Sequence, residues 1–467
     1  MSSVLGIDSS TQSCKVVVRD IDSGTVVSEG HEPHPEGTEV WPEVWWEALH
    51  AALNGVDQSS VEAVSVGAQQ HGMILLDDSG KVLRPALLWN DTRSAPQAQE
   101  IIDEFGLVDI ARRTGSVPVA SFTSTKLAWV RRHEPEIADR AAAVCLPHDW
   151  LTWRLRGFGP RGESPLGPEL DQLTTERSDA SGTGYFLPSA NFYDEDVLRF
   201  TLGHMPLLPR VLEASEPAGT TADGWLVAAG GGDNAIAALG LGTQVGDAVM
   251  SLGTSGTVSA LTSSPTFDPT GTVAGFADAA GSYLPLVATL NAARAIDAVR
   301  KLLGLSWAQY SEAVLSSPPG SEGLSVLPFF DGERTPNLPD STGLFGGATR
   351  SNLTAANLAR AVTEGVVANL AEGLQAITEK TEKAERLVLI GGGARNSGIV
   401  QVVREVLSLP TFVPDDGEYV ALGAGCQAAW ALTGTRPDWE PYGMEYESLS
   451  VGDEAGEQFR QLLSRYS

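Results

Sequence analysis

The chain has 467 residues, 42% of them hydrophobic and 19% charged, which predicts two domains with sizeable cores and argues against disorder. Its 31 basic and 59 acidic side chains give a formal net charge of −28. With no basic stripe in the sequence, that balance argues against a nucleic-acid or acidic-membrane partner and leaves only local basic spots for phosphates.

The N-terminus "MSSVLGIDSS" lacks a basic region followed by an apolar run, so no signal peptide is expected, and no apolar run approaches the roughly 20 residues that span a bilayer. Cys14, Cys145 and Cys426 are odd in number and widely separated, which fits a reducing cytoplasm and no disulfide framework. Residues 3–30 predict three strands. Val4, Leu5 and Ile7 form the first, Val16, Val17 and Val18 lie in the second, and "TVVSEG" follows a "DSG" turn as the third. The first two flank Asp8-Ser9-Ser10-Thr11-Gln12-Ser13. Successive N–H groups in such a turn form an anion nest, Lys15 adds a donor, and Asp8 is suited to hold Mg²⁺ through water. An ordinary polar hairpin is the alternative. His31 and His34 lie in a Pro-rich polar loop and read as solvent-exposed, while Trp41, Trp45 and Trp46 have helical spacing and read as core. Residues 61–76 predict strand, interrupted by Gln69-Gln70-His71-Gly72, where a lone His reads first as a satisfied structural group. Residues 156–192, rich in Gly, Pro, Ser and Thr, read as a loop insert, and "GFGPRG" within them lacks the strand-to-helix context of a dinucleotide loop.

"VAAGGGDNAIAALGLG", residues 227–242, puts Asp233 and Asn234 behind three glycines and before a small apolar run. Asp233 reads either as the N-cap of the following helix or as a charge placed for use. "GDAVMSLGTSGTVSAL" at 246–261 then repeats the opening strand-turn-strand theme, with Thr254, Ser255 and Gly256 offering the chemistry of the first turn. The repeat predicts a duplicated architecture with one nucleotide-gripping hairpin per half, and domains at 1–245 and 246–467. In the C-terminal half, Leu358, Val362, Val366, Leu370, Leu374 and Ile377 make a helical stripe with Thr354 as N-cap. "RLVLIGGGARNSGIVQVVREVLS" predicts strand, glycine loop and helix, and "PTFVPDDGEYVALGAGCQAAWAL" repeats that order, an α/β layout. Glycines before Ala394-Arg395-Asn396 allow a ligand close to the backbone at a helix start.

Taken in order, these motifs resemble the FGGY carbohydrate kinases over nearly the whole chain. The resemblance rests on "GIDSSTQSCKVVV", "GAQQHGMILLDDSGKVLRPALLWNDTRS" at 67–94, "SFTSTKLAWVRRHEPE" at 121–136, "SDASGTGYF", "GGGDNAIAALG", "SLGTSG", "LPFFDGERTP", "GLFGGATRSNLTAANLARAVTE" and "IGGGARNS". It implies an α/β fold of two actin/hexokinase-like (ribonuclease H-like) ATPase domains flanking a catalytic cleft, the first binding sugar and the second nucleotide. It implies ATP and Mg²⁺, a small-molecule sugar, no nucleic acid or membrane, a homodimer and a cytoplasmic location. By position, Asp233 is the expected base, with Gln70, His71 and Asn234 on the sugar. Thr11, Gln12, Lys15 and Thr254 line the phosphates, Gly392, Gly393 and Asn396 lie under the nucleotide, and Asp8 holds the metal. The segment 67–94 is similar to the members that phosphorylate D-xylulose at its 5-hydroxyl. Ribulose, gluconate, glycerol or xylitol as acceptor, or a non-catalytic sugar sensor, are the alternatives. Ser10 and Ser13 stand where the family usually carries glycine, and Gln70 stands where methionine is common.

Overall fold

The computed structural model describes residues 2–449 and 452–466. The chain divides into two compact units. The first takes the residues up to Thr243 together with Phe267–Leu284 and Asp416–Pro441. The second takes Gln244–Thr266, Pro285–Asp415 and the residues from Tyr442 onward. A single cut between 245 and 246 therefore separates two later segments from the unit in which they pack. For one of them the reason is visible in the helix Tyr419–Thr433. A Cβ on Gly6 would lie 1.8 Å from the Ala421 carbonyl, so this helix backbone lies directly against the first strand.

In the first unit, β1 (Ser3–Ser9), β2 (Ser13–Asp20) and β3 (Val26–Pro33) form an antiparallel meander. β4 (Val61–Ala68) adds parallel to β1. β5 (Gly219–Thr220) is antiparallel to β6 (Leu226–Val227), and both β6 and β7 (Gly231–Gly232) run parallel to β4. The run Val4, Leu5, Ile7 is fully buried because helices cover both faces of β1, so it reads as continuous apolar sequence and not as alternation. β7 leads into α1 (Asp233–Gly240). Gly232, not Asp233, holds the N-cap position, and no side chain caps this helix. The expected capping role for Asp233 is thus replaced by a place inside the first turn.

The second unit repeats the order. β8 (Asp247–Leu252), β9 (Gly256–Ala260) and β10 (Leu286–Thr289) form an antiparallel meander. α2 (Ala293–Leu302) follows β10, and α3 (Ala355–Thr378) is the long helix, whose Thr354 hydroxyl accepts the Asn357 N–H as its N-cap. β11 (Arg386–Ile390) runs parallel to β8 and leads through a 3₁₀ turn at Gly392–Arg395 into α4 (Ser397–Leu407). β12 (Thr411–Pro414) runs parallel to β11, and β13 (Gly443–Tyr446) closes the edge antiparallel to β12. Each unit is thus a three-strand meander, then parallel strands, then an antiparallel edge strand.

Three local expectations change. His34 is buried, not exposed, because its ring Nδ1 donates to the Ser10 carbonyl at 2.9 Å. Of the three tryptophans only Trp45 is fully buried, while Trp41 precedes the helix Pro42–Leu53 and is exposed. The supposed loop insert contains a strand, Thr174–Glu176, and a helical turn, Arg177–Ala180, both almost wholly buried. Small polar residues are there not for solvent but because they fit a dense hydrogen-bonded interior. The cysteines are buried and unpaired, and among the described residues no helix is long and apolar enough to cross a membrane.

Candidate active site

Parallel register gathers the first cluster of chemistry. Asp8 of β1 pairs with Gly67 of β4, which in turn pairs with Gly231 of β7. The next row is Ser9, Ala68 and Gly232. The three parallel strands end at the same level, so Asp8 near the end of β1, the segment 69–71 and Asp233 lie side by side at their C-terminal ends.

Asp8 is buried, and its Oδ1 has no hydrogen-bond partner in the structure. Burial pushes its carboxyl up to about 7; Lys15 opposes this, and the charges of Asp233 and Glu418 add to it. Lys15 Nζ lies 4.0 Å from Asp8 and 2.5 Å from Glu418. The turn after Asp8 closes through the Ser10 N–H donating to the Ser13 carbonyl at 3.1 Å, and the His34 N–H donates to the Gln12 carbonyl at 2.7 Å. The Thr11 hydroxyl accepts from the Trp89 indole N–H at 2.8 Å, and Gln12 is exposed.

Asp233 keeps one side open to solvent, yet the protein packed around it pushes its carboxyl up to about 6. Its Oδ1 accepts both the backbone N–H of Asn234, at 2.8 Å, and the Asn234 side-chain amide, at 3.0 Å. Gln70 is buried, and its amide donates to the Ser178 carbonyl at 2.9 Å. His71 adopts a left-handed φ of 70°, an uncommon conformation for a non-glycine residue. Lys126 Nζ, at 2.8 Å, and the Thr123 hydroxyl, at 3.2 Å, both donate to its carbonyl. The ring donates from Nδ1 to the Gly182 carbonyl at 2.5 Å, which makes Nε2 the acceptor nitrogen of the neutral tautomer. Phe122 stacks on the ring at 5.1 Å between centroids, and Phe276 lies at 5.7 Å.

A second layer holds β7. Gly230 has φ 80°, and a Cβ there would meet His148 at 2.5 Å and the Val66 carbonyl at 2.8 Å. Gln427 brackets Gly230, accepting its N–H at 2.8 Å and donating to its carbonyl at 2.9 Å. The Ser178 hydroxyl accepts the Gly232 N–H at 3.3 Å. Behind it His148 lies between two carboxylates, Nδ1 at 2.5 Å from Asp179 and Nε2 at 3.3 Å from Asp149. The three could group round a cation; the imidazole already shares a proton with Asp179 through Nδ1, while His148 Nε2, Asp149 Oδ1 and Asp179 Oδ1 have no hydrogen-bond partner among the described residues. Burial raises Asp149 to about 7 and Asp179 well above the usual range. Lys126, Glu418 and this triad were not expected at the site. They come from distant segments; Lys126 and Asp179 lie inside the family motifs at 121–136 and 178–186, whereas Glu418, His148 and Asp149 are marked only by their burial or pairing.

In the second unit, β8 and β11 run parallel with Ser251 opposite Ile390. Thr254 and the glycines 391–393 therefore lie next to one another at the strand ends. Gly391 has φ 88°, and a Cβ on it would meet the Leu252 backbone at 2.8 Å, so only glycine lets the two turns approach so closely. A Cβ on Gly392 would meet nothing within 4 Å, so that edge is open. The Asn396 side-chain Oδ1 caps α4 by accepting the Ile399 N–H at 3.2 Å, and its side-chain amide donates to the Trp307 carbonyl at 3.1 Å. Asn396 is thus buried and engaged, and acts on the turn's shape.

Residues 3–245 match the N-terminal domain of the FGGY family of carbohydrate kinases, and residues 248–432 match its C-terminal domain. The chain belongs to the FGGY family of carbohydrate kinases. It is 49% identical to the xylulose kinase of Streptomyces coelicolor over 92% of this chain and 88% of that one. It is 34% identical to the xylulose kinase of Escherichia coli K12, over 86% and 84% of the two chains. The crystal structure of xylulose kinase from Bifidobacterium adolescentis is similar to it with a TM-score of 0.93, at 41% identity and 99% coverage of both. As an FGGY carbohydrate kinase the chain is an enzyme of the two-domain actin/hexokinase-like fold, with ATP as a substrate and a sugar as the other.

Proposed function

We propose that the chain transfers the γ-phosphoryl group of ATP to the 5-hydroxyl of D-xylulose, giving D-xylulose 5-phosphate and ADP. The observation that carries this reading is Asp233, an acid reachable from solvent at the end of aligned parallel strands, with a carboxyl pushed up to about 6. The names of the relatives, at up to 49% identity, support the choice of sugar.

Asp233 accepts the proton of the attacking hydroxyl as the new O–P bond forms. The bond from phosphorus to the bridging oxygen breaks, and ADP leaves with that electron pair. A base with a pKa near 6 is ionised at neutral pH and still basic enough to take a proton, an effect worth roughly 10²–10⁴-fold. Asn234 holds the carboxylate in place through two donors to Oδ1 and keeps its amide oxygen for a sugar hydroxyl. His71, fixed by Lys126 and Gly182, and Gln70 form the sugar side. Thr11, Gln12 and Lys15 are the nucleotide-side candidates of the first unit; Thr254, Gly392 and Gly393, with Asn396 shaping their turn, are those of the second. The first unit is thus read as the sugar-binding half and the second as the nucleotide-binding half.

Asp8 fits a hydrated Mg²⁺, because an unpartnered buried carboxylate oxygen next to other acids is the donor such a cation satisfies. The ion would neutralise triphosphate charge there. A homodimer in the cytoplasm completes the reading, in keeping with buried, unpaired cysteines; sedimentation of the purified chain tests the dimer.

The test is ADP release with MgATP across D-xylulose, D-ribulose, L-ribulose, L-xylulose, glycerol, gluconate and xylitol, for wild type and Asp233→Ala. Turnover strongest on D-xylulose and lost in the variant is the expected result. A preference for another acceptor overturns the substrate and keeps the base, whereas full activity in the variant overturns the base.

A further inference from the structure

The 253–255 turn between β8 and β9 is made of Gly253, Thr254 and Ser255, and has no charged side chain of its own. Its carbonyls face the start of α2. The Gly253 carbonyl accepts the Ala293 N–H at 2.9 Å. The Thr254 carbonyl accepts the Arg294 N–H at 3.5 Å and the Arg294 Nε at 3.4 Å. Arg294 Nη2 then donates to the Ser255 hydroxyl at 3.1 Å. One side chain thus grips two consecutive residues of the turn.

The consequence follows from peptide geometry. In a trans peptide the C=O and N–H point in opposite directions. With the carbonyls of Gly253 and Thr254 drawn toward α2, the N–H groups of Thr254 and Ser255 point away from it. Two successive outward N–H groups are the elements of an anion-binding nest. The guanidinium sits behind them, half-buried, and its charge is only lightly offset. The carboxylate nearest it is Asp331, at 3.9 Å and largely exposed to solvent. Lys15, the cation expected beside phosphate from the sequence, is instead held at 2.5 Å by Glu418. In a chain of net charge −28, a lightly offset cation beside a nest carries weight for a polyanionic ligand.

We propose that Arg294 is a positioning residue for the phosphate groups of the nucleotide, locking the 253–255 turn with its N–H groups outward and adding positive charge behind them. The proposal rests on reading that turn as the phosphate loop of the second unit.

The experiment is calorimetric titration of MgATP and MgADP, with no sugar present, into wild type, Arg294→Ala, Arg294→Lys and Arg294→Gln. Steady-state kinetics on the same proteins supply the two KM values. Arg294→Ala is expected to weaken nucleotide binding about tenfold or more and to raise the KM for ATP in parallel, with the sugar KM changed less than about twofold. Lys keeps the charge and is expected to recover part of the loss. Gln keeps a donor for Ser255 without the charge and is expected not to. Nucleotide binding by Arg294→Ala within about twofold of wild type overturns the proposal, as does a Gln variant equal to the Lys variant. Because binding is read without sugar, a wild type that binds ATP but prefers another acceptor defeats the D-xylulose reading alone. A wild type that binds no nucleotide defeats both.

Discussion

Lys15 Nζ lies 2.5 Å from the Glu418 carboxylate, although the two residues are 403 positions apart in the sequence. Both are partly exposed, so the pair itself contributes at most about 1 kcal/mol. Its larger effect is on neighbours. Glu418 offsets the charge of Lys15 and adds to the negative field on Asp8. Glu418→Gln is expected to release Lys15 for the nucleotide and lower the KM for ATP by about twofold to fivefold, more at low ionic strength than at high. Steady-state kinetics at two salt concentrations check this. A raised KM for ATP would show that Glu418 instead orients Lys15 productively.

At saturating MgATP, where a cation at Asp8 would favour its ionised form, Asp233 sets the acid side of the pH profile. Its carboxyl, pushed up to about 6 by the surrounding protein, must be ionised to accept a proton. The value of kcat/KM is therefore expected to fall as pH drops through about 6. Asp233→Asn is expected to lower kcat by about 10²–10⁴-fold, to lose that pH dependence, and to bind sugar nearly as well as wild type. Measured profiles from pH 5 to 9 and a sugar-binding titration of the variant decide it; a variant that still shows the acid limb would move the base elsewhere.

Asp8 costs stability in return for its position. Its pKa rises from 3.8 to about 7 because burial disfavours the charged form. The folded chain holds this proton between about pH 4 and 7 while the unfolded chain has lost it, so stability falls as pH rises through that window. Asp8→Asn removes the buried charge. Its thermal midpoint is expected to exceed that of wild type by about 2–4 °C at pH 8, with the gap closing toward pH 4, while activity is lost. Scanning calorimetry at the two pH values checks the sign, and an Asn variant less stable at pH 8 would show that the carboxylate is held by partners stronger than its desolvation.

Lys126 has 0% solvent exposure, and burial holds its ammonium well below the ordinary lysine range. Its role is to fix the carbonyl of His71, whose left-handed φ needs such support. Lys126→Met preserves much of the volume and removes the donor. The KM for sugar is expected to rise about tenfold with the KM for ATP unchanged. Two unchanged KM values would mean that the Thr123 hydroxyl alone holds the carbonyl.

Much of the fold was legible in the sequence alone. The meander at 3–33, the hairpin at 247–260, the Thr354 cap, the glycine turn before α4 and the order of family motifs are local signals, carried by side-chain period, turn chemistry and short motifs, whereas the third strand of the second meander, Leu286–Thr289, is not among them. Asp8, Asp233 and Thr254 stand out as candidates in this way, and Gln70 and His71 through the family resemblance. Tertiary structure alone decided how Asp8, Gln70, His71 and Asp233 stand to one another. Parallel pairing of β1, β4 and β7 aligns Ser9, Ala68 and Gly232, and nothing local in three separated segments records that register. The same holds for Glu418 on Lys15 and for Gln427 around Gly230, since partners hundreds of residues away leave no periodicity to read. Residues 174–183 show the converse error. Their polar composition spoke for solvent, and only packing against β7 shows that Ser178 and Asp179 are interior groups. Burial is a property of the assembled chain, and for small polar residues composition is a poor guide to it.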